Sequence, residues 1–174
     1  LKQYTSEEWF QSNLIKLINE DYSEDFYINR KIGENHENLC KIIREDSIDN
    51  FIIYVNQTNI SLKSNIKQSI FETNNFLLNK NVTLIEYAAF FGSIQIFKYL
   101  KMNEVELTPN LWIFAIHSKN AEIICLLGEN EVMVPHNEYY RCIHESMKCF
   151  HIDFFNYFKD NFIKDNNETF SLNC

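Results

Sequence analysis

Residues from Leu84 onward reappear in altered form from Leu111 onward, at an offset of 111 minus 84, or 27 residues. Leu84/Leu111, Ala88/Ala115, Ile96/Ile123, Leu100/Leu127, Asn103/Asn130, Glu104/Glu131, Val105/Val132 and Asn110/Asn137 are identical, and Tyr87/Phe114, Phe97/Ile124 and Leu107/Val134 are conservative. Eight identities in 27 positions exceed the roughly two that composition alone supplies. A single unit of that length cannot bury its own apolar face, so the self-match predicts copies of one motif stacked on each other. A weaker third copy follows, Ile152 to Phe158 resembling Ile94 to Leu100, and an earlier one is expected at Leu39 to Val55.

The copies read as helix pairs. Thr83 and Glu86 have capping-box spacing, so each side chain can satisfy one orphan amide where a helix begins. Ala88 and Ala89 allow close approach of a neighbour, and Gly92-Ser93 offers a turn and a new N-cap before a second helix, Ile94 to Lys101. In the next copy Thr108-Pro109 is the expected N-cap and first helical position, and Lys119-Asn120 takes the place of the turn. With three Gly and two Pro, the chain also lacks the turn formers that many-stranded folds need.

Thr83, Leu84, Glu86, Ala88-Ala89, Gly92, Phe97 and Leu100 echo the ankyrin-repeat signature, with Glu86 where that family has His and Leu84 where it has Pro. The 27-residue period is shorter than the family's usual period of about 33, which predicts shortened fingers between pairs. The runs Leu39 to Asp49 and Ile85 to Phe97 resemble a large group of trichomonad ankyrin-repeat proteins, in which a divergent N-terminal region precedes ordinary repeats. The resemblance covers roughly residues 35–158. It implies an all-α, ankyrin-like solenoid of stacked antiparallel helix pairs with an N-terminal helical cap, and a protein-binding role.

The expected organisation is a cap over 1–35 followed by divergent repeats over 36–174, at approximately 36–56, 82–107, 108–134 and 136–160. Within the cap, Thr5 and Glu8 announce an amphipathic helix through Ile18, and Tyr22 to Ile28 make a short helix or a packed loop. Leu39, Ile42 and Ile43, then Ile48, Phe51, Ile52 and Val55, form two stripes broken at Asp46-Ser47, as two helices back to back would. A long polar connection, 57–81, is expected to hold one helix. The chain starts at Leu1 and stops at Cys174 without a helix-stop signal, which predicts a piece of a longer protein.

A net charge of -8 sets the surface against phosphate backbones and anionic headgroups, so neither nucleic acid nor membrane is an expected partner. No apolar run approaches the roughly 20 residues of a bilayer span. Five Cys without the spacing of a disulfide framework indicate reduced thiols and a cytoplasmic location. The acidic stretches Glu7-Glu8, Asp21 to Asp25 and Glu129 to Glu131 read as solvated faces, or as a surface for a basic partner.

The expected function is non-catalytic binding of an unidentified protein, with no cofactor and no metal. The alternative is a structural cap for a longer array with no partner of its own. Candidate contacts are the residues before each inter-helix turn, Phe90-Phe91, His117-Ser118 and Lys148-Cys149, together with Glu104 and Glu106 in a finger. Adjacent Phe90 and Phe91 lie about 100° apart on a helix, so one of them should approach the surface unless the 57–81 connection covers it. Cys142, His144, Cys149 and His151 hold zinc-type donors, but Cys142 and His144 point about 200° apart on one helix, which argues against a metal. A thiol hydrolase would need Cys125 with His117 or Cys149 with His144, and Cys125 lies in an apolar helix with no activating charge or oxyanion donor nearby. Trp112 reads as core.

Overall fold

The computed structural model describes residues 23–78, 80–118, 120–134 and 138–162. The helix expected over Thr5 to Ile18 and the turn residue Lys119 lie outside them. Within the described residues the chain is all-helical, with nine helices and a single isolated bridge, Asn65 to Thr83, as its extended pairing. These are α1 (Glu24–Ile32), α2 (Asn38–Arg44), α3 (Ile48–Thr58), α4 (Leu84–Phe91), α5 (Ile94–Met102), α6 (Leu111–His117), α7 (Ala121–Glu129), α8 (Tyr139–Lys148) and α9 (Ile152–Phe162). None of these helices is long and apolar enough to cross a membrane.

Two or three residues separate α2 from α3, α4 from α5, α6 from α7 and α8 from α9, and links this short make antiparallel neighbours. Contacts between pairs follow chain order: α2 touches α4, α4 touches α6 and α6 touches α8, while α3 touches α5 and α5 touches α7. First helices thus form one row and second helices another. The core runs unbroken between them, through Ile43, Phe51, Tyr87, Phe97, Leu100, Trp112, Ile116, Leu127, Ile143 and Phe158.

The first helix of the best-defined pair starts as its letters require. Thr83 Oγ1 accepts the Glu86 amide at 3.3 Å, and Glu86 Oε2 accepts the Thr83 amide at 2.9 Å. Glu86 Oε1 also accepts Asn110 Nδ2 at 2.8 Å, so the buried carboxylate ties this pair to the next. At its other end Gly92 is left-handed (φ 74°), with the Ser93 amide on the Ala88 carbonyl and the Gly92 amide on the Ala89 carbonyl.

Three expectations are corrected. Ser93 does not cap α5, because its hydroxyl donates to the Ile43 carbonyl at 2.5 Å; the Asp46 carboxylate from the preceding turn takes the Gln95 and Ile96 amides at 3.0–3.1 Å. Thr108 does not cap α6, which opens with i→i+3 bonds to the carbonyls of Thr108, Pro109 and Asn110. The connection contains no helix among its described residues. There Ser61, Ser69, Glu72 and Asn74 each accept the amide two residues ahead, a local alternative that competes with helical bonding. Turns result, and they are anchored to the 33–37 segment: Thr73 Oγ1 donates to the Gly33 carbonyl at 2.7 Å, Asn35 Nδ2 donates to the Lys67 carbonyl at 2.7 Å, and His36 meets Ser69 at 2.8 Å. Phe71 packs on Phe26 and so attaches α1 through the connection.

The strongest element of the self-match, Asn-Glu-Val, is a helix stop used twice. Glu104 and Glu131 are left-handed (φ 59° and 53°), Val105 and Val132 donate back to Leu100 and Leu127, and Asn103 and Asn130 side chains bond the carbonyls of Tyr99 and Leu126. A non-glycine residue there costs about 1–2 kcal/mol. Glu104→Gly is therefore expected to stabilise the fold by about 1 kcal/mol. Asp46→Ala removes the carboxylate that caps α5 and is expected to cost about 1–2 kcal/mol. Urea denaturation midpoints of the two variants should move in opposite directions from the parent chain, and shifts of the same sign would contradict the assigned roles.

Candidate functional site

The C-terminal ends of α2, α4, α6 and α8 lie side by side, and their terminal side chains touch in sequence across all four pairs. The Arg44 guanidinium stands 5.9 Å from the Phe91 ring centroid, Phe91 meets Phe90 at 5.0 Å, and Phe90 stacks on His117 at 5.1 Å. His117 Nδ1 then reaches Cys149 Sγ at 3.5 Å. Arg44 is held by Glu34 at 2.9 Å, by the Asn35 carbonyl at 2.8 Å and by the Tyr87 hydroxyl at 2.9 Å, so the row begins on a fixed cation.

The two adjacent phenylalanines divide the roles between them. Phe90 is buried because Phe76, from the connection, stacks on it at 5.6 Å with the rings 12° from parallel, while Phe91 remains half-buried on the ridge. Phe76 also packs on His117 at 4.1 Å and carries the Lys80 ammonium 3.3 Å above its ring. Phe90 and Ser118 are therefore not surface contacts; Ser118 is buried and bonds its own helix at the Ala115 carbonyl. His117 is half-buried, and Glu104 and Glu106 are exposed on the finger, away from this ridge in sequence, with Glu104 serving the α5 helix stop.

His117 has charged neighbours on two segments, Lys80 on the connection and Glu145 and Lys148 on α8. Its Nε2 lies 3.4 Å from Glu145 Oε2 without hydrogen-bond alignment, leaving that buried nitrogen without a bonded partner. Glu145 Oε1 accepts Lys148 Nζ at 2.9 Å. Burial is the largest influence on His117 and holds it below its ordinary 6.5, with Lys80 and Lys148 acting in the same direction and Glu145 opposing. At Glu145 burial pushes upward, but the hydrogen bond and charge of Lys148, with His117 and His144, outweigh it and keep the carboxyl low. Burial, then Glu145, pushes the Cys149 thiol up.

Cys149, His117 and Glu145 are the three groups that nucleophilic chemistry would require, in a pairing the sequence did not suggest, since His144 was the expected partner of Cys149. The surroundings do not activate them. The thiol is held protonated, and the amides of Cys149, Phe150 and His151 are committed to the carbonyls of Glu145, Met147 and Ser146. Of the four zinc-type donors weighed in the sequence, Cys142 is buried in the core and His144 is exposed. Among the described residues no group of three His, Cys, Asp or Glu side chains is placed to hold a metal ion. Trp112 is core, its indole donating to the Val132 carbonyl at 2.7 Å.

No known protein-family description, curated protein or solved structure matches this chain.

Two measurements follow from these environments. Since the folded pKa of His117 is depressed, the unfolded chain takes up the proton first, so the stability linked to this residue is complete above about pH 6.5 and declines as pH falls below it. Thermal midpoints should drop between pH 7.5 and 5.5 in the parent and drop less in His117→Gln; equal drops would remove His117 as the cause. Among the described cysteines, exposed Cys125 should alkylate first and Cys149 next, with buried Cys40 and Cys142, both pushed up to about 12 by burial, reacting last. Peptide-resolved mass spectrometry gives the order, and Cys149 reacting ahead of Cys125 would indicate an activated thiol.

Proposed function

We propose that this chain is a non-catalytic protein-interaction module. Its stacked antiparallel helix pairs make an ankyrin-like solenoid behind an N-terminal helical cap, and it acts in a reducing, cytoplasmic setting. The observation that carries this reading is the row of contacts from Arg44 through Phe91, the buried Phe90 and His117 to Cys149, which crosses all four pairs and leaves Phe91 and the neighbouring Lys148 accessible along it. Half-buried aromatic surface beside fixed cations and carboxylates suits recognition of another protein, where aromatic and arginine anchors dominate binding energy.

A binding face also accounts for the aromatic placement. Phe76 buries Phe90 and fixes one wall, which leaves Phe91 as the accessible ring. A rigid ring costs little conformational entropy when a partner covers it. The held-protonated thiol and committed amides beside it support binding over chemistry at the same place.

The test uses the parent chain and a Phe91→Asn, Lys148→Glu variant as baits under cross-linking capture from cells, after circular dichroism and melting have shown both to be folded. A protein retained by the parent and lost by the variant is expected. Identical recovery by the two folded baits would rule out this face.

A further inference from the structure

His117 is enclosed by side chains from three parts of the chain. The Phe76 ring of the connection lies 4.1 Å from it and the Phe90 ring of α4 5.1 Å, and these two stack on each other at 5.6 Å, so the three rings form one closed cluster. From α8, Glu145 Oε2 stands 3.4 Å from the buried, unbonded Nε2, and Cys149 Sγ stands 3.5 Å from Nδ1. The charges acting on the imidazole are Glu145 and Lys148 of α8 and Lys80 of the connection, and Lys80 in turn feels Arg141 and Glu86. This enclosure suits a neutral ring.

Of its walls, Phe76 is the least anchored. On one side of it Thr73 is bonded to the Gly33 carbonyl, and on the other the Val82 carbonyl receives the Ile66 amide. Between these anchors the bonds are local: the Phe76 amide goes to Asn74 Oδ1 and those of Leu77 and Leu78 to the Asn74 carbonyl, and among the described residues none from 74–78 reaches a helix of the stack. Leu77 is buried and holds the backbone, whereas Phe76 is only half-buried and is kept in place by ring contacts and by the Lys80 ammonium 3.3 Å above it. The Phe76 ring can therefore turn outward without breaking a hydrogen bond.

Protonation of His117 works against the closed cluster. Both ring nitrogens become donors, so Nδ1 no longer accepts from the Cys149 thiol and the Nε2 proton is drawn toward Glu145, away from the stacked geometry. The new charge is desolvated between two rings and sits near Lys80, which occupies the face of the same Phe76. Turning Phe76 outward gives the imidazolium water and lets Lys80 move off with the ring. A state that solvates His117 gains population as the proton binds.

We propose that Phe76 is a proton-controlled cover over the centre of the ridge: with His117 neutral its ring lies on Phe90 and His117, and with His117 protonated the ring turns outward and exposes Phe90 beside Phe91. The ridge then offers one accessible phenylalanine ring at neutral pH and two adjacent ones in acid. Its consequence for recognition rests on the binding role proposed above, but the movement belongs to the free chain.

The test places para-fluorophenylalanine at position 76 of the full chain and follows its fluorine resonance. The shift difference between light and heavy water, which reports exposure of the ring, is read from about pH 7.5 to about pH 5.5. In the parent it should rise about two-fold or more as pH falls below 6.5, with helical ellipticity unchanged. His117→Gln should keep the neutral-pH value throughout. Lys80→Gln, at a half-buried position, removes a charge that opposes protonation, so its rise should begin at higher pH than in the parent. A label that stays covered in the parent, an equal rise in folded His117→Gln, a Lys80→Gln rise displaced to lower pH, or a rise that coincides with loss of ellipticity would each overturn the proposal. No partner enters these readouts, so their failure is distinct from failure of the capture experiment.

Discussion

The second and third inter-helix turns are hydrogen-bonded to the turn region before them, and the stack depends on that ladder. Ser93 Oγ donates to the Ile43 carbonyl, the Asp46 carboxylate receives the first amides of α5, and Asn120 Nδ2 donates to the Gly92 carbonyl at 3.0 Å. No described helix exceeds 11 residues, and helices that short are marginal alone in water. Burial of their apolar faces supplies the stability, but burial is non-directional and would tolerate a slipped neighbour. The turn-to-turn bonds fix the register. A Cβ at position 92 would stand 3.2 Å from the Asn120 Cβ, so Gly92 serves both the left-handed turn and the close approach of the next one. The last step of the ladder is of a different kind, a Cys149 to His117 contact at 3.5 Å in place of a backbone anchor.

The connection between α3 and α4 controls which parts of the first-helix row reach solvent. Its Ser, Asn and Glu side chains bond their own backbone two residues on, making a series of turns. Its ends are closed where the Ile66 amide meets the Val82 carbonyl and the Leu84 amide meets the Ser64 carbonyl. A segment held that way can present Phe76 flat against Phe90 and His117, and Phe71 against Phe26 and His36. The polar letters set its local conformation, while its few aromatics attach it to the stack.

Much of the helical order was legible because it is encoded within one repeat. The Thr83/Glu86 capping box and the boundaries at Gly92-Ser93 follow from residues three or four apart, and Asn-Glu-Val at 103–105 and 130–132 marks two helix stops of the same geometry. What stayed illegible depends on groups brought together by folding. Nothing near Ser93 shows that Asp46, 49 and 50 residues from the amides it caps, supplies the cap expected of Ser93. Likewise Phe90 and Phe91 are equivalent in the sequence until Phe76 arrives to bury one of them. Cys149 faces His117 across two helices, whereas linear spacing favours His144.

A nucleophilic thiol needs a stabilised thiolate and free donors for the charge that develops on its substrate. The helix stop at the end of α8 consumes those donors: its left-handed Phe150 turns the next amides back onto Met147 and Ser146. Glu145, the nearest carboxylate to His117, is partly neutralised by Lys148 and adds negative potential where a thiolate would form. Burial first, and then the charge of Glu145, push the Cys149 thiol up. The cluster gains rigidity at the cost of thiol reactivity.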